Sequence, residues 1–273
     1  MASNKLWGIV LVVIVCSGCT NAGVFTYLAF LDQNPNESTI SRIARKGVIR
    51  LGTSPDYPPF ESIANTAEGL EVVGFDIELA KLVVANISSQ IGKPIRLEVE
   101  AAFFNALMAG LQSNAYDMVI AAFAIRPERE LEVDFSIPYY FSLQCCLVQA
   151  SDTSIHDQLD LVNRTVATQI GTTGDDLANG LNCIEKSFPT VEMIMLDLIN
   201  GDSDAAIIDV PVAEHFALGG DVKIAFNFTS IQFEGFGIAM REGEGSSPIM
   251  GIINNTIATL NATGQLQELF RGD

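Results

Sequence analysis

Two stretches with the same order of features decide the fold: residues 107–122, LMAGLQSNAYDMVIAA, and residues 195–209, MLDLINGDSDAAIID. Each runs from a helical pattern through a turn to an aspartate, Asp117 in one and Asp204 in the other, and then into an apolar strand. Five residues after each aspartate the strand ends, at Ala122 and at Asp209. A helix feeding an apolar strand is the repeating unit of a parallel α/β sheet. Ligands in open α/β sheets sit beyond the carboxyl ends of strands. Two such units facing each other therefore place Ala122 and Asp209 on opposite walls of one cleft.

Working outward, strands and helices alternate. A strand is predicted at 48–52 (VIRLG), a helix over 75–91 with Phe75, Leu79, Leu82 and Val83 at helical spacing, a strand at 95–100 and a helix over 103–112. The second half repeats the pattern, with a strand at 165–170, helices over 173–182 and 193–200, and a helix over 211–218. Between the halves, residues 134–149 (DFSIPYYFSLQCCLVQ) contain a strand long enough to cross from one to the other. A further strand at 236–243 (FGIAMREG) precedes helices over 247–260 and 264–270. If that last strand returns to the first half, two lobes hinge on two strands and close around a ligand. After the first strand, SPDYPPF (residues 54–60) holds two aromatics in a loop that its prolines stiffen. The two aromatics either pack as a plug on the protein's own core or line a site.

The formal charge of −18 argues against a nucleic-acid binder, because phosphate backbones need a basic face. Residues 1–31 read as an export leader or anchor: Lys5 precedes the uncharged run LWGIVLVVIV, and Ser17-Gly18-Cys19 resembles the end of a lipobox, which makes Cys19 the lipidation candidate. An uncleaved span over residues 6–31 is the alternative. Residues 32–41 read as a polar tether. Both alternatives put the rest of the chain outside the cytoplasm, anchored to the outer face of the membrane. Asn36, Asn86, Asn163, Asn227, Asn254 and Asn261 head glycosylation triplets, in keeping with export. The cysteines have neither zinc-ligand spacing nor a disulfide framework. No cofactor or metal is called for, and Cys145, Cys146 and Cys183 are expected as free thiols.

VIRLGTSPDYPPFE, GFDIELAKLV, ALMAGLQSNAYDMVIAAFAIRPERELEVDFSIPYY, VATQIGTTG and DAAIIDVPVA stand in the order seen in extracellular solute-binding proteins of the polar amino acid family. The chain resembles these receptor subunits of ABC importers over residues 46–271. The resemblance implies a type II periplasmic binding protein fold: two Rossmann-like lobes, residues 42–141 with 233–273 and residues 142–232, joined by two crossing strands. It implies a monomer that binds a free, polar amino acid and delivers it to an ABC permease and its ATPase subunit.

By the same resemblance, Arg129 forks onto the ligand's α-carboxylate, a geometry that suits a guanidinium, with Thr173 opposite it. Asp209 receives the α-ammonium, aided by the carbonyl of Ala122. Tyr57 and Phe104 sandwich the side chain, and Phe103 is expected in the core. Arg129 otherwise reads as a surface partner of nearby glutamates, and Thr173 and Asp209 as helix N-caps. Ala124 stands where the family commonly has a hydroxyl, so only its backbone N–H is left for the carboxylate. Arg126 adds a second cation beside Arg129. Gln169 favours a polar ligand, whereas Ser54, where members for cationic side chains often carry an acid, weakens the case for lysine, arginine or histidine. Asp56 reads as a solvated loop acid. Two further readings are an amino acid sensor tethered to the membrane and an enzyme like cyclohexadienyl dehydratase. For the enzyme, only Asp209 or Glu61 offers an acid or base.

Overall fold

The computed structural model describes residues 37–67, 69–229 and 235–272. The leader, Cys19 and Asn36 lie outside the described residues, none of which belongs to a helix long and apolar enough to cross a membrane. The stretch read as a tether reaches into the fold: α1 (Thr39–Lys46) is a helix, and Thr39, buried, bonds Glu244 and Arg241.

β1 (Val48–Thr53) leads into a small antiparallel sheet of β2 (Asp56–Tyr57), β3 (Glu61–Thr66) and β4 (Gly69–Val73). α2 (Phe75–Ile91) buries Leu79, Val83 and Ile87 at spacings of four, with Ala80 and Val84 beside them, and stops at Gly92, whose φ of 72° is left-handed. Leu82 turns outward instead. β5 (Arg96–Ala101) pairs parallel with β1 over its full length. A 3-10 turn (Phe104–Ala106) and α3 (Leu107–Gln112) bring β6 (Met118–Val119) to the other side of β1. α4 (Pro127–Glu130) and β7 (Val133–Phe135) follow.

The second sheet comprises β8 (Gln144–Gln149), β9 (Thr165–Gln169), β10 (Ile184–Phe188), β11 (Ala205–Asp209) and β12 (Val222–Asn227), in the order β10-β9-β11-β8-β12. Its helices are α5 (Thr173–Asn179), α6 (Val191–Asn200) and α7 (Val210–Ala217). β13 (Ala239–Arg241) then rejoins the first sheet, whose order is β5-β1-β6-β13-β7, before α8 (Pro248–Thr263) and α9 (Gln265–Arg271). The result is two Rossmann-like lobes.

The repeated aspartates have one structural job. Asp117 exchanges bonds with Arg50 across the start of β6 and β1: its N–H donates to Arg50 O and its carboxylate accepts from Arg50 N, both at 2.9 Å. Asp204 does the same with Thr165, at 2.9 and 2.8 Å. Each aspartate thus pins a central strand to its parallel neighbour at the amino end, which sets where the carboxyl ends fall. The expected crossing strand over 134–149 is interrupted. β7 and β8 flank an irregular passage that isolated bridges of Phe236 with Ala124 and Tyr140 hold in place. Prolonged pairing fails here because the passage belongs to neither sheet. β10, β12 and the β2–β4 sheet were not legible from periodicity: β2 has two residues, and the others are short and largely half-exposed.

Phe60 is fully buried where these parts meet. Its ring lies 5.1–6.2 Å from those of Phe75, Tyr140, Phe236 and Phe270. Gly74, just before α2, has φ 130°, and a Cβ there would lie 2.3 Å from Phe60 O. Gly74→Ala is expected to lower stability by roughly 2 kcal/mol or more, from left-handed strain plus the clash with backbone. An unchanged denaturant midpoint would contradict this.

Candidate functional site

The carboxyl ends of the strands converge on a small cavity between the two sheets. Side-chain hydrogen bonds run across it from one lobe to the other, so the lobes are closed on each other. From the first lobe, the SPDYPPF loop supplies Ser54, Asp56 and Tyr57, β3 supplies Glu61, and the 3-10 turn supplies Phe104. Ala122, Ala124 and Arg129 come from the segment after β6, and Phe236 from the return crossing. The second lobe contributes Gln169 from β9, Thr172 and Thr173 at the start of α5, and Asp209 from the end of β11.

Arg129 is no surface partner of glutamates. It is 6% exposed, stacked 4.3 Å over Phe123 and 5.5 Å from Phe104, and donates to Ala124 O at 2.8 Å and to Gly171 O at 2.9 Å. Burial, aided by Arg126, lowers its pKa to about 10, so it stays charged at neutral pH. Two of its five donors serve these carbonyls. Arg126 reaches Glu128 and, across the cleft, Asp176. The bridge of Ala124 with Phe236 is made through Ile125 N and Gly237 N, which leaves the N–H of Ala124 turned away from Phe236. Ala122 has φ 44°, a left-handed conformation that disfavours a side chain, and its N–H donates to Asp76 Oδ2 at 2.7 Å.

The Tyr57 hydroxyl crosses the cleft to donate to Asp209 Oδ2 at 2.7 Å. Burial, with Asp209 beside it, holds the tyrosine well above its ordinary pKa, so it remains a donor. Asp209 Oδ1, both oxygens of Glu61, Asp76 Oδ1 and Gln169 Oε1 are buried and accept no hydrogen bond among the described residues. Glu61 is 1% exposed; burial and then the neighbouring Asp76 hold its carboxyl well above the usual range. Asp76, on the first turn of α2, is raised by burial to about 6.

Tyr57, Phe104, Ala122, Ala124, Arg129, Gln169, Thr173 and Asp209, which come from widely separated parts of the sequence, line this one cavity. Four expectations are corrected. Phe103 is 57% exposed, because the turn that directs Phe104 inward points its neighbour out. The N-cap of α5 is Thr172, whose hydroxyl accepts from Asp175 N, so Thr173 is the first helical residue. Asp209 is in the N-cap position of α7, but its side chain makes no capping bond. Asp56 is buried rather than solvated. Glu61 and Asp76 form a buried acid pair that the sequence reading missed; ESIANT carries no signal for it, since its one large apolar residue, Ile63, is exposed while Glu61 is buried.

The family of bacterial extracellular solute-binding proteins, family 3, matches residues 49–272. The arginine-binding extracellular protein ArtP of Bacillus subtilis (strain 168) is 31% identical over 226 residues, covering 80% of this chain and 83% of its own. Among solved structures, the amino acid ABC transporter substrate-binding protein AbpA of Streptococcus pneumoniae, bound to L-arginine, is similar with a TM-score of 0.79 and 29% identity, over 85% of this chain and 96% of that one. The ancestral amino acid-binding protein AncCDT-1, a precursor of cyclohexadienyl dehydratase, is similar with a TM-score of 0.76 and 28% identity, over 86% of this chain and 99% of that one.

Proposed function

The chain belongs to the bacterial extracellular solute-binding proteins, family 3, and on that premise we propose that it captures a free amino acid with a cationic side chain and delivers it to an ABC importer. One observation carries the choice of side chain: the buried polar atoms left unpartnered on the cavity wall at Gln169 and Asp209 are acceptors, and the Glu61–Asp76 acid pair beside them holds a proton that a cation can replace. Burying acceptors without donors costs free energy, which a guanidinium or ammonium relieves. The lining carries three carboxylates, Asp56, Glu61 and Asp209, against one guanidinium. An α-carboxylate on Arg129 and an α-ammonium on Asp209 still leave the wall acidic. Glu61 thus offsets the missing acid at Ser54, which taken alone counted against a basic ligand. The names of ArtP and AbpA support the same class.

In this reading Arg129, with the N–H groups of Thr173 and Ala124, holds the α-carboxylate. Asp209 Oδ1 and the carbonyl of Ala122 hold the ammonium. Tyr57 and Phe104 flank the side chain, and Gln169 and Glu61 meet its charged end. Lobe boundaries at 42–141 with 233–273 and at 142–232 are supported by sheet membership, though residues 230–234 lie outside the described ones. The receptor acts as a monomer outside the cytoplasm, tethered through residues 1–31; the apolar run after Lys5 supports this. It is not an enzyme: the acids of the cavity serve as acceptors for the ligand. Calorimetric titration with the twenty amino acids tests the proposal. Saturable binding of arginine or lysine is expected, and saturation by neutral or acidic amino acids alone would overturn it.

A pH dependence follows. Burial holds both Glu61 and Asp76 above the usual carboxyl range, Asp76 at about 6, so the free acid pair keeps a proton that a cation beside Glu61 displaces. The free form therefore holds more protons than the complex, and affinity rises with pH as the pair loses that proton. Titration near pH 6 in two buffers of different ionisation enthalpy should register proton release; equal apparent enthalpies in both would refute the displacement.

A further inference from the structure

We propose that Asp56 is the latch that holds the two lobes together, a positioning residue rather than one that reads the ligand; this rests on the receptor reading above. Asp56 lies on β2 of the first lobe and is 6% exposed. Its Oδ2 accepts two hydrogen bonds from the second lobe, from Gln169 Nε2 and from Val191 N, each at 2.9 Å, while Ser54 Oγ of its own loop steadies Oδ1 at 2.8 Å. Val191 opens α6, and the side chain of that helix's N-cap, Thr190, accepts from Met193 N, not from Val191 N. The N–H of Val191 is one of the donors a helix start leaves over, and here a carboxylate from the opposite lobe receives it, at the end of the helix dipole that favours negative charge.

The other contacts across the cleft differ in kind. Tyr57 to Asp209 and Arg129 to Gly171 O use groups assigned to the ligand, and Arg126 meets Asp176, which is half in solvent. Asp56 has both oxygens committed to protein donors, whereas Glu61 has neither committed. Asp56 and Ser54 also line an outer apolar groove with Ile63 and Phe103, so Asp56 is part of the wall between cavity and solvent. Opening the lobes breaks two charge-assisted bonds at this point, of which the one from Val191 N involves no group assigned to the ligand.

The test combines interlobe distances, from spin labels on the two lobes, with stopped-flow binding of L-arginine, in the full chain and in D56A and D56N. In D56A the closed population is expected to shrink with and without arginine. The dissociation rate of arginine rises by roughly ten- to a hundredfold, with association little changed. D56N, which keeps an acceptor for Val191 N, recovers part of the loss. A merely structural role would lower the melting temperature and leave the distance distribution alone. An unchanged closed population in both variants overturns the latch, whatever happens to affinity, as does a chain that never closes. If D56A does not fold, D56N alone decides by the same distances. Should arginine and lysine fail to bind while D56A still opens the free protein, the latch stands and the cationic-ligand reading falls.

Discussion

Arg129→Ala is expected to weaken amino acid binding by about 3–5 kcal/mol, two to four powers of ten in Kd. The ligand's carboxylate is held between the closed lobes, so in the variant its charge is desolvated without its guanidinium partner. Arg129 is already stacked between Phe104 and Phe123 and held by two carbonyls, so little side-chain entropy is lost when it engages the ligand. Arg129→Lys keeps the charge but not the fork, and its affinity should fall between the two. Fold stability should change less than affinity, because removing a buried cation relieves desolvation while it orphans two carbonyls. Calorimetry with L-arginine measures the first quantity and thermal unfolding of the ligand-free protein the second; an unchanged Kd would remove Arg129 from the site.

Phe60→Ala is expected to cost about 3–5 kcal/mol of stability, the range for deleting a fully buried aromatic. Four rings surround Phe60, from α2, both crossings between the lobes and α9, so no single neighbour can relax into the space. At this chain length the melting temperature should drop by roughly 10 °C. Because Phe60 anchors the loop that presents Asp56 and Tyr57, binding should weaken as well. A shift within about 1 °C would show that the aromatic cluster repacks.

The similarity to AncCDT-1 bears on how such a cavity is used. Buried acids with raised pKa values suit proton transfer as well as cation binding. Here Glu61 and Asp76 lie side by side as one acid pair, and Asp209 has a tyrosine on one oxygen.

The alternation of strands and helices, the repeated aspartates before the central strands, the stiff aromatic loop and the positions that line the cleft were legible in the sequence. Each depends on residues near one another in the chain: helical spacing in 75–91, proline-fixed backbone in 54–60, an aspartate at the mouth of each β6-like strand. The acid pair of Glu61 with Asp76, the exposure of Phe103, the interrupted crossing and the burial of Asp56 were decided only by the tertiary structure. A carboxylate on a proline-rich loop is ordinarily solvated. Asp56 is buried because Val191 and Gln169, more than a hundred residues further on, close over it and supply the donors that make burial tolerable. No local pattern encodes that, because the partner atoms meet only when the two lobes do.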